Sequence, residues 1–385
     1  MDTMESTPKA NVRADRLILL QGKRDVPADG VQDYCEYLGK ALEKRGVSVE
    51  IVRVDGVREG WLPTLRKVSK ASYNWRGCWV ILQYTAMAWS KRGFPLGAAA
   101  VLAMAKYHGA RCGVVFHEPF SSRGSRVIDR IRGACQQWVI QKLHDMCETS
   151  IFPEPLETIG WLRRGDEKAV FIPIGANIPD AVRAGAQVHR NNSASKTVAI
   201  YCLSDPPNLH REITEISAAV RIATGDGTKL RVVFLGRGTS EARDEIWRAF
   251  DGIPVEASNF GIQNPEDVRG FLEGSDVMLC VRGPLYSRRG SALAGIACGL
   301  PIVGYSGAAD GTPIAEAGVV LVPFGDVEAL GSGLRQVLSD RGPAGMLREK
   351  SLQAYWRYFS WESIAEKFDR ALACKKGTGE QRAMA

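Results

Sequence analysis

The chain lacks the short motifs of several common enzyme chemistries. It has no GxxxxGK[ST], so no P-loop for nucleoside triphosphates. It has no HExxH zinc helix and no GxSxG nucleophile elbow. No carboxylate-rich metal cluster is visible, and no metal is expected. The nine cysteines are an odd number, and no pair has CxxC spacing, which excludes a structural zinc knuckle or a dithiol redox pair. Cys112, Cys202 and Cys280 sit inside apolar runs, where cysteine acts as a small hydrophobe. A reducing, cytoplasmic setting without disulfides is therefore expected. The longest apolar stretch, Leu96–Ala105, is far too short to span a bilayer. The first fifteen residues are polar and carry no secretory signal. No basic run is interleaved with aromatics, so nucleic acid is not an expected partner.

What is present is an ordinary globular composition, with 45% hydrophobic and 24% charged residues. At 385 residues, two domains are expected. The 40 glycines cluster after apolar runs, as tight strand-to-helix turns require. The net charge of +7 is unevenly placed. Up to Asn177 there are 26 Lys and Arg against 19 Asp and Glu, and beyond it 24 against 24. The basic first half, with Arg123, Arg126, Arg130 and Arg132 on or near one helix, suits an anionic acceptor or the inner face of a membrane, met peripherally. A solvated basic face without a role is the plain alternative.

Strand and helix signals alternate through both halves. In the first, strands are predicted at Arg16–Gln21, Ser48–Val54, Trp79–Tyr84, Arg111–Phe116, Thr149–Phe152 and Val170–Pro173. Helices are predicted at Gly30–Arg45, Leu96–Tyr107 and Arg126–Leu143. After a polar linker the pattern resumes. Strands are predicted at Thr197–Leu203, Leu230–Leu235, Pro254–Ala257, Asp276–Arg282, Pro301–Tyr305 and Val319–Val322. The helices between and after them include His210–Ala223, Thr239–Phe250, Asn264–Leu272 and Ser291–Cys298. Such alternation implies parallel, doubly wound sheets. The expected domains are residues 1–178 for the acceptor, a linker at 179–196, residues 197–355 for the nucleotide-sugar, and residues 356–385 returning to the first.

The segment Asp276–Pro301 is the most informative. A buried strand runs into a loop with Arg282, Arg288 and Arg289, then Gly290 and Ser291 open a helix of small residues that stops at Gly299. Helix starts expose unpaired N–H groups and a positive dipole end, so arginines there suit a diphosphate. A solvated basic loop reads equally well. Gly236 and Gly238 form a two-glycine turn beside a phosphate or nucleobase, or a purely structural one. Asp29 and Gly30 stand at the first strand-to-helix turn, and Asp310, Gly311 and Thr312 in another Gly-rich loop; both are candidates for the donor sugar. His117 follows a strand directly and is the candidate catalytic residue, as hydrogen-bond partner or acid/base; a satisfied domain-interface His is the alternative. Tyr84, Thr85 and Trp89 are candidates for stacking on an acceptor, or for the core.

Several segments resemble the retaining glycosyltransferases of the GT-B fold. They are Ala297–Pro301 (ACGLP), Gly307–Gly311, Gly318–Leu330 (GVVLVPFGDVEAL), Asp29–Gly46, Phe171–Pro179 and Tyr358–Phe368. The resemblance implies two Rossmann-like α/β domains facing across a cleft, with a C-terminal helix crossing back to the first. It implies hexosyl transfer from a nucleotide-diphosphate sugar, UDP- or GDP-linked, to a saccharide, lipid-linked or other anionic acceptor, with retention and without metal or further cofactor. The chain departs from the family where two glutamates usually contact the donor. Tyr286 and Ala294 stand there, and Leu203–Pro207 replaces the usual Arg and Lys. A nucleotide-sugar epimerase or a non-catalytic glycan- or nucleotide-binding protein on the same scaffold are the alternatives.

Overall fold

The computed structural model describes residues 16–24, 29–122, 124–180, 195–225, 227–307, 313–339 and 341–373. The chain divides into two compact units, Met1–Ile172 with Ile364–Ala385, and Pro173–Ser363.

The first unit holds β1 (Arg16–Gly22), α1 (Gly30–Lys44), β2 (Ser48–Val54), α2 (Gly56–Glu59), α3 (Trp61–Ser72), β3 (Trp79–Tyr84), α4 (Leu96–Tyr107), β4 (Arg111–Phe116), α5 (Val127–Met146), β5 (Thr149–Phe152) and β6 (Ala169–Phe171). All six strands pair in parallel, in the order β2-β1-β3-β4-β5-β6. The apolar runs of β1 and β3 are buried along nearly their whole length, as helices on both faces of a parallel sheet require.

α2 and α3 fill a stretch left unassigned by hydrophobic patterning. Trp61, Leu65, Val68 and Ala71 of α3 pack on the core of the first unit, beside the buried Thr64 and Ser72. The Trp61 ring that opens α3 lies against Gly97 of α4. A Cβ on Gly97 would sit 2.0 Å from Trp61 Cη2. Gly97→Ala must therefore displace a packed indole. It is expected to lower stability by about 2 kcal/mol, read as a reduced urea midpoint at unchanged slope.

The second unit holds β7 (Lys196–Tyr201), α6 (Asn208–Ala223), β8 (Leu230–Leu235), α7 (Arg243–Phe250), β9 (Val255–Gly261), α8 (Pro265–Glu273), β10 (Val277–Pro284), α9 (Gly290–Ala297), β11 (Ile302–Tyr305), β12 (Val319–Val322), α10 (Val327–Ser339) and α11 (Arg341–Ala354). Its sheet is parallel, in the order β12-β11-β10-β7-β8-β9, with an apolar cluster on each face. The helix expected from Thr239 begins only at Arg243. The carbonyl of Thr239 accepts from Asn259 Nδ2 at 2.6 Å, and Thr239 Oγ1 donates to the Gly236 carbonyl at 2.8 Å. These bonds hold a turn where the first helical turn was expected.

After a π-turn at Tyr355–Phe359, α12 (Trp361–Ala373) starts in the second unit and ends in the first. Ser360 caps it, its Oγ accepting from Ser363 N at 3.2 Å. Ile364, Ala365, Phe368 and Leu372 are buried, and Arg45 Nε donates to Asp369 Oδ2 at 2.6 Å. Among the described residues the eight cysteines are free, and no helix is long and apolar enough to cross a membrane.

Candidate active site

In each sheet the strand order reverses direction at one place, and ligands of doubly wound sheets bind outside the strand carboxyl ends there. In the second unit the reversal lies between β7 and β10. In the first it lies between β1 and β3.

At the β7/β10 reversal the pairing of β10 with β11 slips between Cys280 and Pro284, so Val281–Gly283 leave the regular ladder. Such bulges re-aim side chains. Arg282 Nε lies 3.5 Å from Ser204 Oγ, which follows β7. The loop then leads to α9, whose N-cap is Arg289. Helix α9 ends in a Schellman turn. Gly299, at φ +68°, donates to the Ile296 carbonyl at 3.0 Å, and Leu300 to that of Gly295 at 2.9 Å. Its small residues let it lie close on the sheet, since a Cβ on Gly295 would meet Met278 Sδ at 2.6 Å.

The three arginines come together. Burial lowers the Arg289 pKa from its ordinary value, and the charges of Arg282 and Arg288 lower it further. Arg288 is exposed, with its guanidinium 5.7 Å from the Tyr286 ring centroid. Three buried polar atoms here lack partners, Arg289 Nε, Ser287 Oγ and Ser291 Oγ, and Glu212 Oε1 makes no hydrogen bond. An unpaired buried polar group costs roughly 1–3 kcal/mol, so these atoms are where a water or a ligand would bind. Glu212 on α6 is fully buried. Its Oε2 accepts from Ser204 N at 2.8 Å, and Arg211 lies 3.6 Å from its Oε1.

Gly236 and Gly238 adopt φ +85° and +82°, which favour glycine. Added Cβ atoms would meet Cys202 Sγ and the Leu203 carbonyl oxygen, each at 2.7 Å. Close packing of two strand-end loops accounts for both glycines. Cys202 itself is a non-glycine residue at φ +66°, a strained position at the strand end. Asn177, from the FIPIGANIP segment, lies beside Gly290, where a Cβ would come within 3.2 Å of its Nδ2. Asp310, Gly311 and Thr312 lie outside the described residues.

At the β1/β3 reversal stand His117, Gln83 and Gln21. His117 Nε2 is 2.8 Å from Gln83 Oε1, and Tyr34 of α1 meets its ring edge-on at 4.9 Å. Burial pushes the His117 pKa down to about 4, so the ring is neutral near pH 7. With Gln83 Oε1 as acceptor, Nε2 carries the proton and Nδ1 keeps the lone pair. Gln21 and Gln83 are register partners on β1 and β3. Both are buried, and Gln21 Oε1 and Gln83 Nε2 lack partners. The signal for them was present in RLILLQ and WVILQY, two apolar strands that each carry a glutamine near the end. Asp29 is the N-cap of α1, its Oδ1 accepting from Val31 N at 3.1 Å, and Gly30 is the first helical residue.

The stacking surface expected of Tyr84 and Trp89 is taken. Both rings are core residues, 1% and 0% exposed. Trp61 stacks on Trp89 with ring centroids 6.5 Å apart, and Trp89 Nε1 donates to the Gln83 carbonyl at 2.9 Å. Thr85 is 4% exposed, with its hydroxyl unpartnered. Among the described residues no three His, Cys, Asp or Glu converge as a metal site would require.

No family model and no curated protein matches the chain in sequence. Solved structures do match it in shape. Sucrose-phosphate synthase from Thermosynechococcus elongatus superposes with a TM-score of 0.64 at 19% identity, over 93% of this chain and 98% of that one. The chain has the GT-B fold of glycosyltransferases. Anabaena HepE, solved in complex with UDP, gives 0.62 at 13% identity, over 94% of this chain and 100% of that one. The GT-B frame also carries a putative UDP-N-acetylglucosamine 2-epimerase from Listeria monocytogenes, at 0.60 and 13% identity, over 96% and 97%.

Proposed function

We propose that the protein transfers a hexosyl group from a nucleotide-diphosphate sugar to a saccharide, lipid-linked or other anionic acceptor, with retention and without a metal. The observation that carries this reading is the cluster of Arg282, Arg288 and Arg289 with the unpartnered Ser287 and Ser291 hydroxyls at the start of α9. A diphosphate offers acceptor oxygens to Arg289 Nε and to the two serine hydroxyls, and its charge offsets the repulsion among three cations. The same donors would stabilise negative charge as it develops on the departing nucleotide diphosphate. A UDP complex on a similar frame supports a uridine nucleotide.

The absent glutamate pair gives way to another arrangement in this reading. Glu212 and the arginines take over orientation of the donor. His117, neutral and held by Gln83, would accept a hydrogen bond from a sugar hydroxyl through Nδ1. The first unit would hold the acceptor.

The test is a thermal-unfolding screen with UDP, GDP, ADP and dTDP sugars, followed by turnover assays with and without EDTA. A bound donor at about a hundred times its Kd adds about 2.7 kcal/mol of stability. The UDP series is expected to shift the transition most, and no shift with any nucleotide would remove the proposal. The epimerase neighbour favours a second reading. Release of free nucleotide, or a changed sugar, without any acceptor would select it.

A further inference from the structure

We infer that the outward stripe of α5, Val127–Ile131–Trp138 with its flanking arginines, is a docking surface for an anionic lipid bilayer. Surface helices usually turn polar side chains outward. Here the inward face is formed by Gln136, Val139, Ile140 and Leu143. Opposite it, at spacings of four, three and four residues, stand Val127, Ile131, Ala134 and Trp138, all exposed. Val127 is 73% exposed, Ile131 54% and Trp138 53%, with Ile128 beside them at 46%. That is three helical turns of apolar surface facing water, about 16 Å long.

The neighbouring loops extend the patch. Arg132 Nε donates to the Arg92 carbonyl at 2.9 Å, and Gln136 Nε2 to that of Gly93 at 3.0 Å, which fixes exposed Lys91 and Arg92 along one flank. Ser122 N donates to Gln136 Oε1 at 2.7 Å, which holds the loop of half-exposed Phe120 on the helix. Arg126, Arg130 and Lys142 are exposed around the stripe. Of the helix's carboxylates, half-buried Asp129 pairs with Arg132 at 2.8 Å, and exposed Asp145 lies two turns beyond Trp138. An apolar centre flanked by Lys91, Arg92, Arg126, Arg130 and Lys142, with cations in excess of carboxylates, is the chemistry of an interfacial helix on acidic lipids. The inference stands apart from the transferase reading.

The test is co-sedimentation of the full chain with phosphatidylcholine vesicles, with or without phosphatidylglycerol as one lipid in three. Binding is expected to be at least about tenfold stronger to the acidic vesicles and to weaken with salt. Ile131→Glu with Trp138→Glu is expected to lower it about tenfold, as is Arg126→Glu with Arg130→Glu, while thermal unfolding stays unchanged because these side chains face water. Three results would overturn the inference: wild-type protein left in the supernatant with both vesicles, binding indifferent to all four substitutions, or a concentration-dependent dimer in sedimentation velocity that the Ile131/Trp138 variant dissolves. The last would assign the stripe to a second copy of the chain.

Discussion

Arg289→Met is expected to weaken nucleotide-sugar binding by 10- to 100-fold, about 1.4–2.8 kcal/mol, and at the same time to make the unliganded protein more stable. The two halves of this result share one cause. Arg289 is a half-buried cation beside Arg282 and Arg288, with only the Glu212 carboxylate opposing their repulsion, and its Nε has no hydrogen-bond partner. Methionine keeps most of the side-chain volume while removing the desolvated charge and the repulsion. Replacing a poorly compensated buried ion by an apolar side chain commonly stabilises a fold, here by about 1 kcal/mol. Calorimetric titration with UDP-sugars and urea unfolding read the two effects separately. A variant that binds normally would show that Arg289 does not face a ligand. One that loses binding and stability together would show that the arginine holds the loop rather than a diphosphate.

His117 should make the protein acid-sensitive in a defined window. The native ring takes up its proton near pH 4, whereas in the unfolded chain the value is close to the ordinary 6.5. Between those values the unfolded chain binds more protons, so stability rises with pH there. The contribution is complete above about pH 6.5 and is lost as pH falls toward 4, reaching about 3 kcal/mol. Urea titrations near pH 7 and near pH 4 are expected to show this loss in the wild type and much less in His117→Phe. Ring nitrogen NMR shifts should report the Nε2–H tautomer. A His117 titrating near 6.5 would defeat the argument, because it would place the ring in water rather than against Tyr34 and Gln83. The same neutrality bears on catalysis. A ring that stays unprotonated through the physiological range works by accepting a hydrogen bond, so activity should show no ionisation near pH 6.5.

Both sheets were legible because parallel strands covered on both faces appear as short, continuous apolar runs. The strand–loop–helix around Arg282–Ser291 was readable almost to the residue, since Gly299 and Pro301 end the helix and small residues line it. What sequence could not supply was the covering of each side chain. Tyr84 and Trp89 follow a strand and suit a sugar face as well as a core. Trp61 decides between them, and it sits on α3, whose apolar positions Trp61, Leu65, Val68 and Ala71 recur at helical spacing but name no packing partner in the sequence. Glu212 was hidden for a similar reason. A glutamate on an amphipathic helix reads as solvated, and only the turn after β7 brings the Ser204 amide onto it. Gln21 and Gln83 became a pair only once β1 and β3 were known to be adjacent.

The return of α12 to the first unit sets the order in which the protein can be completed. Everything the second unit needs has been synthesised by Ser363, whereas the first unit still waits for Phe368, Asp369 and Leu372. Domains that form during synthesis usually mature in chain order. Here the half made first is finished only once α12 has left the ribosome. A stop codon at Ile364 would therefore damage the amino-terminal half, and no one cut in the chain yields both halves whole.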